Sequence, residues 1–165
     1  MTISGSHYLN RQTAEQAVKL TMPMIEQAMK NPFIGESGFL YIVIMDPAMT
    51  PVQTDFEQAI LYEHAVGDVA RWDADYAGFA RAKARVSWRT GLDSHTVQES
   101  RPYLLTAHDI VLWGSTLLDG ITVSVSGANP WYDEAFAGCV AMCLRALAKA
   151  NVEAMRGKQF FLQSL

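Results

Sequence analysis

Apolar and polar positions alternate most plainly from Asp119 to Ala150. Ile121, Val123 and Val125 interleave with Thr122, Ser124 and Ser126, as in a half-buried strand. A Ser-Gly-Ala-Asn-Pro turn then leads into a helix, with Asn129 at the N-cap, Pro130 at its first position, and Asp133 and Glu134 in the first turn beside the positive end of the helix dipole. Phe136, Cys139, Val140, Cys143, Ala146, Leu147, Ala150 and Ala154 make one apolar stripe on that helix, which requires a sheet to cover it. Near the N-terminus, Ala14, Ala17, Val18, Thr21, Ile25, Ala28 and Met29 define another helical face. Thr13 and Gln16 suit a capping box, Pro23 predicts a kink or a break into two pieces, and Asn31-Pro32 with Gly35 ends the helix.

Between these helices the period changes. Phe39 to Met45 is an unbroken apolar run bounded by Gly38 and Asp46-Pro47, which predicts a central strand covered on both faces. Ala59 to Val66 predicts its antiparallel partner. A helix is expected from Asp75 to Trp88, with Trp72, Tyr76, Phe79, Ala82 or Lys83, and Val86 on one side and Arg81, Arg85 and Arg89 on another; Thr90-Gly91 stops it. A short helix capped by Ser94 or Thr96 follows, ended by Arg101-Pro102. Leu104–Leu105 and Ile110–Leu118 read as strands, and Asp119-Gly120 as the hairpin turn to the strand described first. Strands paired in runs and separated by helices predict an α+β domain on an antiparallel sheet of about five strands.

The chain has 165 residues, half of them hydrophobic, enough for one domain with its own core, with residues 1–8 and 157–165 as terminal arms. The apolar tail residues Phe160, Phe161 and Leu165 are expected to dock on their own or a neighbouring chain. The formal net charge of −4 and pI near 5.5 argue against a general nucleic-acid binder. Neither a signal peptide nor a window of about 18 apolar residues is apparent, so a cytoplasmic protein without a membrane partner is expected. The two cysteines, Cys139 and Cys143, are spaced i, i+4 on the helix stripe and read as core; zinc would need two further ligands.

Several residues can carry chemistry, each beside a plainer role. His64 shares a strand face with Tyr62, and Glu63 is on the other; His64 suits a haem or metal ligand or a general base, or is simply hydrogen-bonded. His95 and His108, next to Asp93 and Asp109, read as surface residues. Arg81, Arg85 and Arg89 suit a carboxylate or propionate, or else a salt-bridge row. Lys83 stands near the apolar stripe and needs a carboxylate, Asp133 or Asp46, as a buried partner. The turn Ser126-Gly127-Ala128-Asn129 can offer backbone N–H groups to an anion or simply cap its helix. Trp113 and Trp131, with Tyr132, can wall an aromatic pocket or form an interface. No dinucleotide fingerprint, phosphate loop, nucleophile elbow or metalloprotease helix occurs.

Three segments, FLYIVIMD, RWDADYAGFARAKARVSWRTG and DGITVSVSGANPWYDEAFA, together resemble the GlcG/HbpS-like family, also called haem-binding or haem-degrading and found at the end of PduO-type proteins. The resemblance implies a profilin-like α-β-α domain, a homo-oligomer from dimer to octamer, and a small-molecule ligand for which haem or a related tetrapyrrole is the family's suggestion. It places the family's lysine on Lys83, its Ser-Gly turn on Ser126 and Gly127, and its helix-start aspartate on Asp133. In place of the family's Gly-Gly-rich loop with a proline, this chain has HDIVLWGSTLLDG with Trp113. Three functions are compatible with these residues: binding of a small ligand, small-molecule catabolism on an aromatic or hydroxy acid near His64, and a structural assembly module.

Overall fold

A computed structural model of the protein describes residues 5–157 and Phe161. Its elements are α1 (Arg11–Met29), β1 (Leu40–Met45), β2 (Ile60–Val66), α2 (Tyr76–Thr90), α3 (Ser94–Ser100), β3 (Ser115–Leu118), β4 (Ile121–Ser126) and α4 (Pro130–Arg156). The strands pair antiparallel in the order β2-β1-β4-β3, so the class is α+β as expected, with four strands in place of about five. The difference lies between Leu104 and Gly114. Pro102–Leu104 is a 3-10 turn, and Asp109 accepts from the Thr106 N–H at 2.7 Å to close a second turn. Gly114, at φ 131°, accepts from the Val125 N–H at 2.8 Å, and the strand proper begins at Ser115.

The apolar run of β1 serves two layers. Leu40, Ile42 and Ile44 pack with Val123 and Val125 of β4 against Ala17, Val18 and Ile25 of α1 and Phe136, Val140 and Leu144 of α4. Val43 and Met45 point the other way, onto Phe56, Ala59, Ala80 and Ala84. All six residues of β4 are buried, since α2 covers Thr122, Ser124 and Ser126, where solvent was expected. Helices therefore cover both faces of the central strands. The β3–β4 hairpin turns at Asp119 and Gly120, with φ of 50° and 81°, the left-handed pair that a two-residue turn demands.

Four helix expectations are corrected. Asn10, and no Thr13–Gln16 box, caps α1: its Oδ1 accepts from the Thr13 N–H at 2.9 Å, because the helix starts early enough to make that N–H one of its orphan donors. Of the kink or break expected at Pro23, the break does not occur: α1 runs through Pro23, which lies on the exposed side, and the carbonyl it leaves free belongs to solvent-facing Lys19. On α2 the inward residues are Tyr76, Ala80, Lys83, Ala84, Val86 and Ser87, so Tyr76, Lys83 and Val86 face inward as expected, while Phe79 is 42% exposed, since the alanines let the helix approach the sheet closely. On α4 the buried arc is Asp133, Phe136, Ala137, Val140, Ala141 and Leu144. Cys139, Ala146, Ala150 and Ala154 face solvent and Cys143 is half-buried, so the cysteines do not form the core. The helix has two apolar arcs, and pinning Asp133 inward selects one of them.

Helix α4 also contains an 18-residue window of mean hydropathy 1.3, long and apolar enough by length and composition to cross a bilayer, contrary to expectation. In the fold it packs on β3, β4 and α1. Of the terminal arms, residues 1–4, 158–160 and 162–165 lie outside the described residues, and with them the expectations for Phe160 and Leu165. Phe161 is 85% exposed among the described residues. The N-terminal arm is tied down where the Ser6 N–H donates to the Asp46 carboxylate at 3.0 and 3.2 Å.

Candidate functional site

The start of α4 is fixed by one buried ion pair. Lys83 Nζ lies 2.8 Å from Asp133 Oδ2, with the two side chains 1% and 2% exposed. The ammonium also donates to the Val125 carbonyl at 3.1 Å and lies 3.4 Å from Ser126 Oγ. Asp133 is therefore the partner of Lys83, and Asp46 serves the N-terminal arm and the Ala48 N–H. Gly114 makes room for the pair: a Cβ there would stand 2.7 Å from the Val125 carbonyl, 2.8 Å from Asp133 Cβ and 2.9 Å from Lys83 Nζ. Burial pushes Asp133 up to about 6, against the pull of Lys83 and of the Ala128 and Gly127 N–H groups, and burial also lowers Lys83.

This pair decides what the Ser126–Asn129 turn can receive. The Ala128 N–H is donated to Asp133 Oδ1 at 2.8 Å and the Asn129 N–H to the Ile34 carbonyl at 2.8 Å, so an internal carboxylate and a carbonyl already occupy the donors expected to take an anion. The Asn129 side chain does not cap α4; its amide donates to the Phe33 carbonyl. Gly127, at φ 138°, would place a Cβ 2.1 Å from the Phe39 carbonyl, so the turn closes tightly on the β1 entry.

Outside the turn is a cavity of about 300 Å³ lined by Glu36, Ser37, Asp73, Tyr76, Gly127, Ala128 and Asn129. Tyr76, 8% exposed, donates its phenol to Asp73 Oδ1 at 2.6 Å. Burial first, and then this bond, raises the Tyr76 phenol above its usual value, so it remains a neutral donor. The cavity thus presents two carboxylates, two hydroxyls and an amide, and among the described residues no lysine, arginine or histidine lines it. Such a lining complements positive charge and hydrogen-bond donors.

The other candidate residues are dispersed. His64 pairs with Ile42 on the α1 side of the sheet, where its Nδ1 is 3.4 Å from the Tyr62 hydroxyl and the Arg11 guanidinium sits 5.1 Å over the Tyr62 ring. Burial lowers the His64 imidazole, with Glu15 and Glu26 opposing. Glu63, on the opposite face, holds Arg81 by two hydrogen bonds of 2.6 and 2.8 Å. Arg85 pairs with Glu57 at 2.8 Å and lies over the Phe56 ring, and Arg89 pairs with Asp109. The arginine row is thus a row of ion pairs within the chain. Trp113 and Trp131 do wall an apolar cleft of about 180 Å³, with Val111, Leu112 and Pro130, while Tyr132 packs on Phe136 instead. His95 meets the Trp113 ring edge-on and lies 2.7 Å from Glu134 Oε2, and His108 is in a turn at φ 74°.

A haem needs an axial ligand and cationic anchors for its propionates around one apolar slot. Within the chain His64 is separated by the sheet from Arg81, Arg85 and Arg89, these three arginines are already paired, and the cavity at the turn is acidic. These residues do not fit a haem. The cavity residues that the sequence did not single out for the site are Glu36, Ser37, Asp73 and Tyr76. Their signal was Glu36-Ser37 between two glycines and the acidic turn of RWDADY, two loops that only the fold brings together.

No protein-family model matches the chain, and no curated protein matches it. Solved structures are similar, among them the following two. The Klebsiella pneumoniae protein ORFY, of the DUF336 family, has a TM-score of 0.52 at 15% identity, covering 88% of this chain and 94% of its own. The Ybr137w protein has a TM-score of 0.54 at 16% identity, covering 84% and 80%. DUF336 is equated with GlcG-like domains, so the fold is of the kind expected from the resemblance; at such identity the likeness concerns the fold alone.

Proposed function

We propose that this chain is a small-ligand-binding protein of the GlcG-like fold whose ligand is compact, polar and positively charged, an organic ammonium held at the cavity beside the Gly127–Asn129 turn. The observation that carries the reading is the lining: Glu36 and Asp73 with Tyr76, no cation among them, and the nearby backbone donors already consumed. Glu36 and Asp73 supply charge, and the Tyr76–Asp73 bond fixes the second carboxylate in orientation. His64 lies on the far face of the sheet and takes no part.

Trp72, whose ring centroid is 5.5 Å from that of Tyr76, is a natural reporter. Titration with putrescine should change tryptophan emission saturably, Asp73→Asn and Glu36→Gln should weaken the response, and acetate should have no effect. Saturable binding of acetate, or a hemin titration that shifts the Soret band at one equivalent, would overturn the reading. We also propose a cytoplasmic homo-oligomer, with the Trp113–Trp131 cleft and exposed Val111 as the contact between copies. Light scattering should then give a multiple of the chain mass, reduced by Trp131→Glu; a monomer at all concentrations would refute it.

A further inference from the structure

We propose that the outer face of α4 carries a binding site for a soft monovalent metal ion, Cu(I), formed by Cys139, Met142 and Cys143. Cys139 is exposed, Met142 is 50% exposed and Cys143 is half-buried at the edge of the core. At about 100° per residue the three sulfurs project within an arc of roughly 100°, with Cys139 in the middle and Met142 and Cys143 one turn further along. Side chains four apart on a helix have Cβ atoms about 6 Å apart, which lets two thiolates meet one ion at metal–sulfur distances of about 2.3 Å.

The donor set decides which ion fits. Among the described residues no third histidine, cysteine or carboxylate joins the pair, so a tetrahedral zinc site cannot be completed. Thiolate and thioether together select an ion content with two or three soft ligands. The Met142 thioether is already oriented: Arg145 Nη2 donates to its Sδ at 3.1 Å, and Arg145 is itself held by Asp119 at 3.0 Å. Binding converts two thiols and one Cu(I) into a bis-thiolate complex of charge −1 with release of two protons, and no electron is transferred. The neighbouring guanidinium suits that negative charge.

The test is an anaerobic titration of the reduced protein with Cu(I) buffered by bicinchoninate. The expected result is transfer of one ion per chain with a new ultraviolet thiolate-to-copper absorption, abolished in Cys139→Ser and in Cys143→Ser. Met142→Leu should weaken binding by about tenfold, and Zn(II) should not compete. Since Cys139 is exposed, Cys139→Ser should keep the wild-type circular dichroism spectrum. Copper uptake by Cys139→Ser/Cys143→Ser equal to wild type would overturn the proposal, as would one ion shared by two chains. Loss of putrescine binding would leave this site intact, because the two sites share no residue.

Discussion

Replacing Lys83 by methionine tests the buried pair that sets α4 on the sheet. The substitution leaves Asp133, 2% exposed at its side chain, with only backbone N–H partners. A carboxyl of ordinary value 3.8 that must fold protonated costs about 1.4 kcal/mol per pH unit above that value, a ceiling of about 4 kcal/mol at pH 7. The intact pair already bears part of this cost, because Asp133 stands at about 6 even beside the ammonium. The pair thus already bears about 3 kcal/mol of that ceiling, and the expected loss at pH 7 is the remainder, about 1–1.5 kcal/mol. The pH dependence has a definite sign. Because the folded value of Asp133 lies above its unfolded value, its contribution is full below pH 3.8 and is lost as pH rises through about 6. At pH 5 the carboxyl is protonated in both proteins, and the difference should fall below about 1 kcal/mol. Lys83→Met/Asp133→Leu should return to within about 1 kcal/mol of wild type. Urea unfolding followed by tryptophan emission at both pH values measures all three proteins. A pH 7 loss under about 1 kcal/mol, or an equal loss at pH 5, would refute the reasoning.

The remaining predictions concern the turn, the histidine and the arginine row. Gly114→Ala and Gly127→Ala should each cost about 2 kcal/mol or more in urea unfolding, since both residues sit at positive φ against backbone closer than 3.0 Å to the added carbon. The His64 imidazole should titrate below 6.5 by NMR; its depressed value means stability is lost as pH falls below 6.5, and His64→Gln should remove that component. Arg85→Ala should change stability by less than about 1 kcal/mol in the same assay, as its partner Glu57 is exposed.

Much of the fold was legible because β1 and β4 have strong local signals. Phe39 to Met45 has the continuous apolar pattern of a doubly covered strand, and Asp119-Gly120 states its turn type. Lys83 was legible as a buried cation because an amine near an apolar stripe requires a carboxylate. The rotation of α4 was not legible: periodicity gives an apolar arc, and only the tie from Asp133 to Lys83 chooses between the arc with Cys139 and the arc with Ala137 and Leu144. The separation of His64 from Arg81, Arg85 and Arg89 was not legible for a related reason. Alternation fixes which strand residues share a face, and it is silent on which helix covers that face. Asp73 and Glu36 were missed because they stand far apart in the chain in two loops, and only the closure of the Gly127 turn onto Phe39 brings those loops together.

The measurement that bears most directly on the proposed function is a two-dimensional amide NMR titration with putrescine. Saturable shifts confined to Ser37, Asp73, Tyr76 and Gly127–Asn129, and lost in Asp73→Asn, are the predicted result. Shifts centred on His64 or the Trp113–Trp131 cleft, or none at millimolar putrescine, would contradict it.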